Sequence, residues 1–430
     1  ERMTNQKKLK AIQSVSGQVT LPGSKSITNR ILLLSAIADG ETMIKHPLQS
    51  DDTHHMIEAL KILQVDLTQN KNGDIHIKGS QGQFKNKSAE IFLGNAGTAF
   101  RPLTAALSFS QGNYMLSGVP RMHERPIKDL VDALLQLNAN ISYLNQEGYP
   151  PLKISPSEII VNSSVKIRGD ISSQFLTALL MAIPLTKKEV SIEIVGDLIS
   201  KPYIDITLNL MSRFGVHVKK IDWQHFLIPG SSAYVSPGEI FVEGDASSAS
   251  YFLAAGALAG DIEVKGIGKN SIQGDVKFTE ALALMGAKIK TLEASIKVSK
   301  VKTLQAINLD CNHIPDAAMT LAVLALFANG TTKLHNIGSW RVKETDRIKA
   351  MATELKKLGA AVVEGEDFIE ITPPLHIKED VEIDTYDDHR IAMCFSLVSL
   401  KNISITINDP ACVNKTFPTY FEVLESIIKT

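Results

Sequence analysis

Residues 341–347 read RVKETDR, and five of the seven are charged: Arg341, Lys343, Glu344, Asp346 and Arg347. Charges crowded at a helix start ordinarily face solvent and neutralise one another. The phase of the next residues along the chain argues against that. Ile348, Met351, Leu355 and Leu358 are spaced 3, 4, 3, which is one face of an α-helix. One turn back from Ile348 is Glu344, and one turn back from Met351 is Arg347. Both therefore share the apolar stripe, whereas Lys349, Glu354, Lys356 and Lys357 lie off it. A carboxylate and a guanidinium aimed inward must pair with each other or meet a ligand. Phase alone leaves both open.

Other stretches place similar chemistry at helix starts. LPGSKSITNR offers Lys25, Ser26 and Arg30, two cations and a hydroxyl suited to a phosphate or carboxylate. It is not a nucleotide-binding P-loop, because no glycine stands four residues before GK[ST]. LGNAGTAFRPL sets Gly97 before a helix, where backbone amides can approach an anion. RMHERPIKDL adds Arg121 and Arg125. NHIPDAAMTLAV puts Asp316 at the head of an apolar helix; it is an N-cap, or a carboxylate able to take a proton from a substrate hydroxyl. YDDHR pairs an N-cap aspartate with His389 and Arg390. The pair His54–His55 has no third ligand at metal spacing, and neither a nucleophile elbow nor HExxH occurs.

The elements that must carry these residues repeat. Six stretches open with small or polar residues and then run apolar on nearly all sides, the pattern of a buried helix. They start at Ser26, Thr98, Ser172, Ala246, Asp316 and Asp388, roughly every 70 residues. Each is followed by a short β-like piece and a second, amphipathic helix, and the first five run on into a β-rich segment. The unit reads βαβαββ, three units to each of two domains. Buried helix starts expose backbone N–H groups and suit anions. At the two recurring positions the chain supplies Ser172, Ser173, Gln174, Ser200, Lys201 and Tyr203 in the third unit and Lys415 and Thr416 in the sixth. The fourth unit is poor in charge and reads as structural. Recurrence at matching positions is what independent surface accidents would not produce.

Bulk composition narrows the class. At 430 residues two domains are expected. With 44% apolar and 21% charged residues and net charge −1, the chain is an ordinary globular protein without the basic excess that nucleic acid or acidic membranes require. Any cationic site is local. Cys311, Cys394 and Cys412 lack metal spacing and read as buried reduced thiols. The apolar run 317–328 is too short to span a bilayer, and ERMTNQKKLKAIQ has no secretory apolar core. The expectation is a soluble cytoplasmic protein.

LPGSKS, LGNAGTAFRPL, SSQFLTALLM, SKPYIDITL, EGDASSASYFLAAGA, NHIPDAAM, WRVKETDR and DDHRIAMCFSL, in this order, resemble the 5-enolpyruvylshikimate-3-phosphate (EPSP) synthase family, over about Val19 to Glu425. The GNAGTA form resembles its glyphosate-sensitive class. The resemblance implies an inverted α/β fold of two domains, each of three βαβαββ units with buried helices. Residues 24–243 would form the first domain, 1–23 and 244–430 the second, with hinges near 21–24 and 240–244. It implies phosphoenolpyruvate and shikimate 3-phosphate as substrates, no cofactor or metal, and a monomer.

Matched position by position, the phosphoenolpyruvate set is Lys25, Gly97, Arg125, Gln174, Arg347, Arg390 and Lys415. The shikimate 3-phosphate set is Lys25, Ser26, Arg30, Ser172, Ser173, Gln174, Ser200, Tyr203, Asp316, Ser339 and Lys343. Asp316 and Glu344 match the acid/base pair, assisted by Lys25. Where the family usually has asparagine before WRVKETDR, this chain has Ser339. The implied reaction is addition and elimination through a tetrahedral intermediate, with the domains closing on the substrates. A sibling enolpyruvyl transferase for UDP-N-acetylglucosamine carries a reactive loop cysteine that SGVPRMHERPI lacks. A non-catalytic anion-binding relative would have no use for Asp316 and Glu344 together.

Overall fold

The computed structural model describes residues 5–269, 271–273 and 276–429, without the side chain of Val276. It divides into two compact units, Gly23–Val242 and a second made of Glu1–Pro22 with Glu243–Thr430, so the chain passes between them twice. The twelve α-helices of the described residues alternate in character. In the first unit they are α1 (Lys25–Ile37), α2 (Asp51–Ile62), α3 (Gly97–Ser108), α4 (Lys128–Leu135), α5 (Ser173–Ala182) and α6 (Lys201–Arg213). In the second they are α7 (Ala246–Ala259), α8 (Val276–Leu284), α9 (Ala318–Leu324), α10 (Arg347–Lys357), α11 (His389–Ser396) and α12 (Tyr420–Ile427). The odd-numbered helices are buried nearly all round: α7 from Ser247 to Ala259 and α11 over its whole length. Alanine, serine and glycine in ASSASYFLAAGALA let neighbours pack on every side of α7.

Each repeat builds its own small sheet. In the second repeat Ser88–Phe92 runs parallel to Asn113–Ser117, which pairs antiparallel with Leu152–Ser155, which in turn pairs with Asn140–Tyr143. The third and fifth repeats use the same order. The first and fourth differ from a strictly consecutive βαβαββ reading, because their leading strands are exchanged. Glu239–Phe241, from far along the chain, runs parallel to Glu41–Lys45 in the first repeat. Ser14–Thr20 runs parallel to Gly260–Lys265 in the fourth. In the sixth repeat Ile405–Asn408 pairs antiparallel with Gln6–Leu9, and Ile428–Lys429, after α12, pairs with Ser14 and Val15 in the fourth repeat's sheet. These pairings draw both early and late segments into the sheets of each unit.

The septet departs from its expected geometry. Gly338–Val342 is a 3-10 turn, and α10 begins only at Arg347, capped by Asp346, whose carboxylate accepts from the Lys349 N–H. Glu344 lies in the turn before the helix. Glu354, expected off the apolar stripe, is fully buried; seven residues after Arg347, or two helical turns, it shares that residue's face. Its carboxylate has polar partners that offset the burial, which hydrophobic phase cannot register. The expected start of the fourth repeat's second helix, at Asp275, lies outside the described residues.

Candidate active site

In the first unit the buried helices present their N-termini with the predicted residues around them. Ser24 caps α1, accepting from the Ile27 N–H at 3.3 Å. The first residue of α1, Lys25, places its Nζ 3.5 Å from Asp52 Oδ2. Ser26 Oγ lies 3.3 Å from Ser24 Oγ. Arg30, one turn on, is buried and donates to Thr207 Oγ1, the Ser26 carbonyl and Thr177 Oγ1 at 3.0, 3.1 and 3.4 Å. Burial pulls its pKa down to about 10, against a smaller opposing pull from Tyr203. Asn29 donates to Thr98 Oγ1 at 2.8 Å, tying the starts of α1 and α3 together.

Gly97 opens α3, and a side chain there would run into its neighbours. A Cβ would meet Arg101 Nη1, with Arg125 Nη2 at 2.8 Å and Gln174 Oε1 at 3.1 Å. The space that glycine leaves is thus filled by guanidinium ends. Arg125 is buried and donates through Nη1 to both oxygens of Asn95 at 2.8 Å. Arg101 Nη1 donates to Gln174 Oε1 at 2.6 Å, while its guanidinium lies 5.7 Å from the Phe175 ring centroid. Arg101 was not among the expected site residues. Its signal was available, since it stands one helical turn from Gly97 and so shares that face. Ser172 caps α5, Ser173 is its first residue, and Ser172 Oγ accepts from the Gln174 N–H at 3.2 Å. Ser200, left-handed at φ 55°, precedes α6 without capping it through its side chain, and Tyr203 follows within the first turn.

In the second unit the centre is Arg347, 1% exposed. Its Nη1 donates to Asp316 Oδ1 at 2.9 Å, Nη2 to Glu344 Oε2, and Nε and Nη2 to the two oxygens of Asp388 at 2.7 and 3.2 Å. One guanidinium therefore holds three carboxylates from three elements. The inward Glu344 and Arg347 do pair with each other. Burial disfavours the Arg347 charge, but Asp388, Glu344 and Asp316 more than offset it and push its pKa up.

Asp316 precedes α9, with its side chain about one-fifth exposed. Arg390 Nε lies 3.6 Å from its Oδ2. Burial would raise the Asp316 pKa, yet Arg390, Arg347 and Lys343 outweigh burial and the nearby Glu344 and hold it well below the carboxylate range. Arg390, on α11, also donates to Tyr251 OH at 3.1 Å and lies 3.9 Å from Asp245. Lys343 is half-buried, Ser339 is half-buried within the 3-10 turn, and Lys415 is buried at the end of Pro410–Lys415. Glu344, Asp388 and His389 also have donor atoms within 4.8 Å of one another, a spacing metals use. Arg347 already donates to both of those carboxylates, so the cation this cluster is built around is a guanidinium.

The start of α7 shows why the fourth repeat is poor in charge. Gln273 Oε1 accepts from the Ala246 N–H at 2.9 Å, and Asp245 accepts from the Ser248 N–H at 3.1 Å. That helix start is satisfied by the protein's own side chains.

One arginine grips Asp316, Glu344 and Asp388, with Arg390 beside Asp316, an arrangement able to take up an anion and exchange a proton with it. A family model, EPSP synthase (3-phosphoshikimate 1-carboxyvinyltransferase), matches residues 9–424. The chain belongs to the EPSP synthase family. It is 61% identical to the 3-phosphoshikimate 1-carboxyvinyltransferase of Cellvibrio japonicus over 96% of this chain and 97% of that one. It is 58% identical to the Cupriavidus necator enzyme of the same name, with the same coverage. Among solved structures, EPSP synthase from Acinetobacter baumannii superposes with a TM-score of 0.82 at 27% identity, over 99% of this chain and 98% of that chain. The enolpyruvyl transferase NikO of Streptomyces tendae shares the fold, with a TM-score of 0.78 at 14% identity, over 98% of this chain and 96% of that one. Among the described residues no helix is long and apolar enough to cross a membrane.

Proposed function

We propose that this member of the EPSP synthase family transfers the carboxyvinyl group of phosphoenolpyruvate to the 5-hydroxyl of shikimate 3-phosphate and releases phosphate. The observation that carries the residue roles is the joint hold of Arg347 on Asp316 and Glu344. Glu344 protonates the methylene carbon of phosphoenolpyruvate, leaving its neighbour electron-poor. The 5-hydroxyl oxygen attacks that carbon while Asp316 takes the hydroxyl proton, and a tetrahedral intermediate forms. Glu344 then removes a proton from the new methyl group, the C–O bond to phosphate breaks, and the hydroxyl proton departs with phosphate. Lys25 and the arginines stabilise the charge on the leaving group.

The pairing in the unliganded protein suits this sequence. A substrate carboxylate that takes Arg347 removes the counter-ion of Glu344 and raises its affinity for a proton. Gly97, Arg125, Gln174, Arg390 and Lys415 complete the phosphoenolpyruvate contacts. Ser26, Arg30, Ser172, Ser173, Ser200, Tyr203 and Lys343 hold shikimate 3-phosphate. Ser339, shorter than asparagine, reaches its phosphate through water. The residues of this set come from both units, and the substrate anions offset the charge of the cations among them.

The glyphosate-sensitive class is part of the same proposal. Glyphosate is a small dianion suited to the guanidiniums around Gly97, and its inhibition should be competitive with phosphoenolpyruvate. Inhibition independent of phosphoenolpyruvate concentration would refute it. We further propose a cytoplasmic monomer; the three buried free thiols suit a reducing compartment. The deciding experiment is phosphate release from the purified protein with phosphoenolpyruvate, with and without shikimate 3-phosphate. Release only with both is expected, and no release with both would end the proposal.

A further inference from the structure

The loop that brings Asp388 to Arg347 has a costly backbone. Tyr386 (φ 55°) and Asp387 (φ 53°) are consecutive non-glycine residues in the left-handed conformation, which L side chains enter only when their surroundings impose it. Beside the Thr385 hydroxyl, which donates to the Asn408 carbonyl at 2.8 Å, the loop is held by Glu354. It lies two turns along α10 from Arg347, on the same face of the helix.

The Glu354 carboxylate, 0% exposed, is fully engaged. Its Oε2 accepts from Tyr386 OH at 2.6 Å, and its Oε1 accepts from the Asp384 N–H at 2.9 Å and from Lys357 Nζ at 2.6 Å. Lys357 Nζ reaches on to Asp384 Oδ2 at 3.0 Å. The arc then closes with the Asp388 N–H donating to the Thr385 carbonyl at 2.8 Å. One face of α10 therefore grips the loop at both ends, through Glu354 at 384–386 and through Arg347 at Asp388.

We propose that Glu354 is a positioning residue for the reaction: by pinning the left-handed Tyr386–Asp387 pair it aims Asp388 at Arg347, and so sets the guanidinium that meets the phosphoenolpyruvate carboxylate. This rests on the function proposed above. The chemistry of the site requires a carboxylate at 354. Three donors converge on Glu354, and an amide would turn a donor of its own towards one of them while leaving Lys357 without its buried counter-ion. Burial and the hydrogen bond to Glu354 push the Tyr386 hydroxyl pKa up, so it stays a donor at neutral pH.

The test is steady-state phosphate release by wild type, Glu354→Gln and Tyr386→Phe, varying each substrate separately, with thermal midpoints recorded alongside. Glu354→Gln should raise KM for phosphoenolpyruvate ~10-fold while KM for shikimate 3-phosphate stays within ~2-fold. Tyr386→Phe, which removes one hydroxyl and keeps the Glu354–Lys357 pair, should raise KM for phosphoenolpyruvate ~3-fold with an unchanged thermal midpoint. KM values unmoved in both variants, or raised equally for both substrates, would overturn the positioning role. An inactive wild type would instead overturn the function it rests on. Should Glu354→Gln fail to fold, Tyr386→Phe alone decides.

Discussion

At the scale of single residues, the site turns on how charge is shared. Arg347 binds three carboxylates in a buried place, and with Arg390 and Lys343 it holds Asp316 well below the carboxylate range against the effect of burial. Glu344→Gln removes the proton donor but leaves an amide that Arg347 can still contact. Turnover should fall ~10²-fold or more with substrate affinity largely kept, as single-turnover and steady-state rates would show. Asp316 allows a test with a definite sign. Its folded pKa is depressed below the ordinary ~3.9, so the stability it contributes is complete above that value and lost as pH falls through the lower folded pKa. The thermal-midpoint difference between wild type and Asp316→Asn should hold steady from pH ~8 to ~5 and shrink towards pH ~2. A strongly depressed pKa also makes a weak base. Substrate anions cancel the charges of Arg390, Arg347 and Lys343, so the acid limb of kcat should lie at higher pH than that of kcat/KM. Coincident limbs would show that binding leaves Asp316 unchanged. Chemistry at this scale was partly legible from residue types and phase, as with Glu344 and Arg347. Arg101 was missed because its role lies in an amide 73 residues away in sequence.

At the scale of elements, short pieces act as paired clamps. Asp388 caps α11, accepting from the Arg390 N–H at 2.9 Å, and also holds Arg347 of α10. Asp388→Ala removes a cap and leaves a buried guanidinium with one partner fewer. It should destabilise the protein by about 3–5 kcal/mol, read from the denaturant midpoint. Loss of under about 1 kcal/mol would mean that Asp316 and Glu344 suffice to hold Arg347. Helix positions were legible because buried helices with capped starts recur along the chain. The boundary at Arg347 was not. Asp346 took the cap and turned Glu344 out of the helix, and a short polar side chain at that position outranks hydrophobic phase. Glu354 was misread from its charge, since its spacing of two turns from Arg347 puts it on the inward face and its burial is offset by Tyr386, Asp384 and Lys357.

At the scale of the whole molecule, net charge is −1, yet buried helix starts in each unit carry cations, Lys25 on α1 and Arg390 on α11. Binding should therefore depend on salt as a basic site does. Raising ionic strength from about 0.05 to about 0.5 M should increase KM for both substrates several-fold with little change in kcat. A KM indifferent to salt would place the cations elsewhere than on the substrates. The exchange of leading strands closes the unit Gly23–Val242 with its own last strand, Glu239–Phe241, whereas the second unit is completed by Ser14–Thr20, from before the first crossing.

Sequence by itself determined the six repeats, the buried helices and the family, because periodicity, caps and ordered motifs are local properties of a chain. Tertiary structure alone decided which charges meet. That Arg347 gathers Asp316, Glu344 and Asp388, that Arg101 fixes Gln174 and that Glu354 holds a left-handed loop all depend on distances between segments remote in sequence. In a buried, weakly screened setting those distances set the proton affinities on which the chemistry depends.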